Sequence, residues 1–200
     1  MLLVGDSNIN LGSTSIVRVL ASKEHQDNGY VPVLAARDGA SIRTYDCLVP
    51  EGCRTTDFWE TKLGELLPEL TADAIVINLG INDTIDVGTE TTPGYRSYAE
   101  KADWLMSLLP ASTPVLWTNL PCSIEPPLAA KGCAAVNDAL RLAPRRWSNL
   151  RVVDFEEAAR GHPEYMGEPG VDVHLSPAGY TAWAELVVEA LDERFSTTGL

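Results

Sequence analysis

Five short runs rich in Val, Ile and Leu recur along the chain, at residues 2–4, 31–35, 74–79, 115–120 and 150–155, bounded by Gly, Pro or Asp. Runs this short and this apolar are expected to be β-strands. Their apolarity is near-continuous rather than alternating, which marks strands covered on both faces, as in a parallel sheet. The intervening segments carry helical periodicity, and helices are expected over 15–22, 57–70, 95–109 and 128–142. The clearest is the last, where Trp183, Leu186, Val187, Ala190 and Leu191 fall on one face. Ser176 is suited to cap it and Pro177 to occupy its first turn. Strands alternating with helices over this length predict one three-layer α/β domain spanning residues 1–200, with right-handed crossovers. In such sheets the functional site lies beyond the carboxyl ends of the strands.

Composition narrows the partners. With 45% hydrophobic and 22% charged residues, a chain of 200 residues can bury a substantial core. The net charge of −13 is dispersed rather than gathered in one run, and it repels nucleic-acid backbones and anionic membrane surfaces. No stretch approaches the roughly 20 apolar residues that a membrane span requires. The chain opens on Met1-Leu2-Leu3-Val4-Gly5 without a basic n-region, so as written it is expected in the cytoplasm; a secreted protein trimmed of its leader would read the same. Four cysteines leave two readings: four reduced thiols, or local disulfides Cys47–Cys53 and Cys122–Cys133. Trp59, Trp104, Trp117, Trp147 and Trp183 read as packing residues, and His25 and His162 as surface residues.

Four loops at one edge of the predicted sheet hold the residues with chemistry. They are Gly5-Asp6-Ser7-Asn8 after the first strand, Arg37-Asp38-Gly39-Ala40-Ser41 after the second, Gly80-Ile81-Asn82-Asp83 after the third, and Asp172-Val173-His174-Leu175-Ser176-Pro177 before the last helix. Each block alone is weak to fair evidence; the four in this order are strong. On these blocks the chain resembles the SGNH (GDSL-like) hydrolases, a family named for a Ser, a Gly, an Asn and a His in this sequence, here Ser7, Gly39, Asn82 and His174. The resemblance runs from the first strand to the last helix. It implies a three-layer sandwich around a flavodoxin-like five-stranded parallel sheet.

The residue types suit acyl transfer, which needs a nucleophile, a base and donors for an oxyanion. Ser7 is the expected nucleophile and His174 its base. The resemblance implies an oxyanion hole made by the backbone N–H groups of Ser7 and Gly39 and the side-chain amide of Asn82. Glycine allows close approach of backbone to substrate, and an amide donates without bringing a charge. Asp6 is expected to order the loop around Ser7. No GxSxG elbow is present, against an α/β-hydrolase fold.

The chain departs from the family at the third triad member, which usually lies three residues before the histidine. Val171 stands there, and the nearest acid, Asp172, is two before. Three arrangements fit: a bulge that lets Asp172 reach Nδ1 of His174, a main-chain carbonyl near Val171 or Gly170 in its place, or a carboxylate from Glu168. The expected function is a serine esterase acting on small O-acyl esters of a small molecule or carbohydrate, with no metal or organic cofactor. The alternatives are an O-acyltransferase of the same chemistry and a catalytically silent domain that binds a glycan or acylated ligand. The segments 86–95 and 121–128 carry no readable substrate code, and oligomeric state is not legible.

Overall fold

The computed structural model describes residues 1–22, 30–42, 44–46, 54–56, 58–85, 97–122, 130–167 and 173–196. Its elements in chain order are β1 (Leu2–Gly5), α1 (Ser7–Leu20), β2 (Val33–Ala36), β3 (Thr44–Asp46), β4 (Arg54–Thr56), α2 (Phe58–Leu66) and β5 (Ile75–Asn78). There follow α3 (Ile81–Ile85), α4 (Tyr98–Ser107), β6 (Val115–Thr118), α5 (Ala130–Leu142), β7 (Leu150–Val153), α6 (Phe155–Ala158) and α7 (Pro177–Ser196). The main sheet has the order β2-β1-β5-β6-β7 with every neighbouring pair parallel. This is the doubly wound arrangement expected from the sequence, with the strand order reversing beside β1.

The near-continuous apolar runs have the predicted cause. Successive side chains of a strand point to opposite faces, and both faces are covered. Leu2, Val4, Ile75, Ile77, Val115 and Trp117 pack with Trp59, Leu105 and Leu140 from α2, α4 and α5. Leu3, Val76, Leu116 and Val153 face the other way, against Ile9, Ile16, Trp183 and Val187 of α1 and α7. Trp59, Trp117 and Trp183 are fully buried, Trp104 and Trp147 partly so, and His162 is exposed. No helix among the described residues is long and apolar enough to cross a membrane.

The first helix differs from expectation, starting at Ser7 rather than near residue 15. Its first two turns are rich in Ser and Asn, which read as a loop, but Asp6 caps it by accepting from the Asn8 amide at 2.9 Å. Gly12 lets this helix approach α7: a Cβ there would lie 2.4 Å from Cδ1 of Tyr180. The small antiparallel pair β3–β4 was also not expected, being too short to give a pattern. At the last helix, the Ser176 hydroxyl accepts from the Gly179 amide at 3.1 Å, as a cap residue does.

The reading of four reduced thiols is corrected for one pair. Cys122 and Cys133 form a disulfide, with Cα atoms 5.7 Å apart, that ties the segment after β6 to α5. Cα proximity, which spacing alone does not establish, decides the matter. Cys47 and Cys53 lie outside the described residues, as do His25 and residues 197–200.

Candidate active site

The crossover topology gathers segments distant in sequence at the carboxyl edge of the sheet. β1 runs directly into Asp6 and Ser7, so Ser7 is the first residue of α1 rather than part of a free turn. Its hydroxyl is mostly buried, and its amide belongs to the first helical turn, where the helix ladder supplies no acceptor. Nε2 of His174 stands 2.9 Å from Oγ of Ser7. That is hydrogen-bond distance for a hydroxyl and an imidazole that can take its proton.

His174 is carried by a short extended segment held along both edges. On one edge the Gly167 amide donates to the His174 carbonyl at 2.9 Å, the Ser176 amide donates to Tyr165 at 2.8 Å, and Met166 forms a β-bridge with Leu175. On the other edge stands Asn8, whose Oδ1 accepts from the Leu175 amide at 3.0 Å and whose Nδ2 lies 3.5 Å from the Val173 carbonyl.

The Gly39 and Asn82 blocks meet beside this pair. Nδ2 of Asn82 donates to the carbonyl of Ala40 at 3.0 Å and approaches Oδ2 of Asp6 at 3.4 Å. Asn82 thus touches both the loop of Gly39 and the capping residue of the helix that begins at Ser7. Gly39 has φ +67, and a Cβ there would meet nothing within 4 Å. The need for glycine is therefore a left-handed backbone, which a β-carbon disfavours, rather than a close approach within the protein. Asn10 donates to Asp38 at 2.9 Å, fastening the same loop to α1.

Two buried carboxylates stand behind these loops. Asp6 is pushed up to about 7, chiefly because burial disfavours its anion; the Asn8 hydrogen bonds and the charge of His174 oppose that shift only in part. Asp83 accepts from the Ile42 amide at 3.0 Å through Oδ2 and from Nζ of Lys101 at 3.0 Å through Oδ1. It thereby joins the segments after β2 and β5 to α4. Asp6 acts as a loop-ordering residue, as the sequence suggested. The roles of Asn8, Asp83 and Lys101 were missed, because their partners lie far away in sequence.

Asp172, Glu168, Gly170 and Val171 lie outside the described residues. Among the described residues no group of three His, Cys, Asp or Glu side chains is placed to hold a metal ion. A cavity of about 30 Å³ lies among Asn8, Ile81, Leu120, Cys133, Val173 and Leu175, and neither Ser7 nor His174 lines it.

The sequence profile of the GDSL-like Lipase/Acylhydrolase family matches residues 3–182. The chain belongs to this family. Among curated relatives it is similar to O-acetyltransferase OatA of Staphylococcus aureus, with 35% identity over 57 residues, 28% of this chain and 9% of that protein. The chain thus matches only about a tenth of that relative's length. Among solved structures, the C-terminal catalytic domain of Streptococcus pneumoniae peptidoglycan O-acetyltransferase A, bearing a methylsulfonyl adduct, superimposes with TM-score 0.62 and 16% identity, over 96% of this chain and 92% of that one. A family 3 carbohydrate esterase of Clostridium thermocellum gives TM-score 0.62 and 15% identity, over 96% of this chain and 97% of that one. At these identities the likeness is one of fold.

Proposed function

We propose that this GDSL-family protein is a serine esterase that removes small O-acyl groups, acetyl foremost, from a small-molecule or carbohydrate alcohol. The observation that carries the reading is the 2.9 Å contact between Ser7 Oγ and His174 Nε2 at the carboxyl edge of the sheet. Ser7 attacks the ester carbonyl carbon and its proton passes to Nε2 of His174. The tetrahedral oxyanion is met by the amides of Ser7 and Gly39 and by the Asn82 side chain. Each such donor is worth about 3–4 kcal/mol of transition-state stabilisation. As the bond to the alcohol oxygen breaks, His174 returns the proton to the alcohol. Water then attacks the acyl-enzyme, losing its proton to His174, and the acid departs as Ser7 regains its hydrogen. Asp172 is assigned to orient the imidazole.

For Asn82 to serve the oxyanion, its amide must give up the long contact to Asp6 while keeping the shorter one to Ala40. The carbohydrate esterase fold neighbour supports a sugar alcohol. A second reading, transfer of the acyl group to a sugar hydroxyl in place of water, draws support from the match to an O-acetyltransferase.

The test combines covalent trapping with turnover. A fluorophosphonate is expected to add to Ser7 in the wild type and not in Ser7→Ala. p-Nitrophenyl acetate is expected to be cleaved faster than longer-chain esters. Ser7→Ala and His174→Ala should each keep less than about a hundredth of the turnover, since such residues act as a unit. Acetylated sugar appearing faster than acetate when a sugar acceptor is added would favour transfer. A wild type that neither reacts nor turns over any ester would leave a ligand-binding domain.

A further inference from the structure

Asn8 follows Ser7 directly and is buried at the start of α1, where a polar side chain has no solvent to satisfy it. Both ends of its amide reach the segment of His174, and the side chain also hydrogen-bonds the buried Asp6 carboxyl. Oδ1 accepts from the Leu175 amide at 3.0 Å and Nδ2 faces the Val173 carbonyl at 3.5 Å. These two main-chain groups lie immediately after and immediately before His174. One residue of a parallel strand brackets its neighbour in the same way, bonding the carbonyl on one side and the amide on the other. Here a side-chain amide takes the place of that strand.

We propose that Asn8 is a positioning residue that sets His174 against Ser7, an inference that rests on the esterase reading of this site. The contacts close a small ring: the Ser7–Asn8 peptide bond, the Asn8–Leu175 hydrogen bond, the Leu175–His174 peptide bond, and the His174–Ser7 hydrogen bond. Nucleophile and base are 167 residues apart in the chain, yet besides their own hydrogen bond they are joined by two peptide links and one further hydrogen bond. The opposite edge of the His174 segment is fixed by Tyr165, Met166 and Gly167, which register it to its own neighbourhood. Asn8 is the residue that registers it to the helix of the nucleophile. A displacement of about 1 Å between such groups costs on the order of 10²-fold in rate.

The choice of amide matters. An alanine removes both bonds and leaves the Leu175 amide without its acceptor. An aspartate keeps an acceptor for that amide but loses the donor to Val173. It also places a second carboxyl beside the buried Asp6, which already interacts with His174, and the added negative charge favours the protonated ring.

The test uses the full chain with Asn8→Ala and the conservative Asn8→Asp. Readouts are kcat and KM for p-nitrophenyl acetate across pH 5–9, hydrogen exchange of the Leu175 amide, the His174 ring titration by NMR, and the thermal midpoint. For Asn8→Ala we expect kcat to fall about 10- to 100-fold with KM within about twofold, and Leu175 exchange to quicken at least about tenfold. For Asn8→Asp we expect most of kcat to return at alkaline pH, Leu175 to stay protected, and the acidic limb and ring titration to move up by roughly half to one pH unit. Should the alanine variant not fold, the aspartate shifts decide alone. Unchanged kcat with a lowered thermal midpoint would make Asn8 a structural residue only and overturn the inference. If the wild type turns over no ester and takes no fluorophosphonate, the esterase reading fails separately. Leu175 exchange and the His174 titration then still decide whether Asn8 sets the histidine, and unchanged values in both would end the proposal.

Discussion

The Asn82 amide donates to the carbonyl of Ala40 over 3.0 Å, so the loop after β5 grips the loop after β2 one residue beyond Gly39. The residue assigned to the oxyanion therefore also holds the second proposed donor in place. Asn82→Ala is expected to lower kcat by about 10²- to 10³-fold with KM little changed. The thermal midpoint should fall as well, by the equivalent of about 1 kcal/mol for the lost hydrogen bond. Steady-state kinetics beside a melting curve separates the two effects; a change confined to KM would remove Asn82 from the oxyanion hole.

Asp6 makes stability depend on pH. Its folded-state pKa, about 7, lies above the ordinary 3.8. The stabilisation linked to its proton is fully present below about pH 4 and is lost as pH rises through 7, on the order of 4 kcal/mol in all. Asp6→Asn keeps an acceptor for the Asn8 amide and has no charge to bury. Its thermal midpoint should exceed that of the wild type by several degrees at pH 8 and by little at pH 4. Equal differences at both pH values would show that ionisation of Asp6 is not responsible.

Lys101 and Asp83 form an ion pair shielded from solvent, with side-chain exposures of 5% and 1%. Lys101→Met would leave the carboxylate buried without its cation, which typically costs about 3–5 kcal/mol. Because Asp83 also receives the Ile42 amide, esterase activity should fall with the grip on the Gly39 loop. Denaturant unfolding gives the stability change, and a loss below about 1 kcal/mol would mean the pair is dispensable.

The assignment of Asp172 rests on the sequence, where it is the nearest acid before His174. Asp172→Asn should lower kcat by up to about 10⁴-fold, because the amide favours the wrong imidazole tautomer and removes the charge that stabilises the imidazolium. Glu168→Gln should stay near wild type. Less than a tenfold loss in both variants would leave a Ser–His dyad oriented by the main chain.

The strands were legible because each is a local apolar run, and the central ones, such as residues 74–79, are buried on both faces. The four motif loops were legible because short, ordered blocks survive as text even when their spacing varies. The start of α1 was not, since Ser7, Asn8 and Asn10 look like loop residues until Asp6 caps them and Ile9 and Ile16 find the sheet. The Cys122–Cys133 bond, the bracket of Asn8 on Val173 and Leu175, and the Asp83–Lys101 pair were decided only by tertiary structure. Each depends on which segments the crossovers bring together and how closely. A hydrogen bond or ion pair spans about 3 Å, whereas hydrophobic periodicity places a segment only to within a face of the sheet.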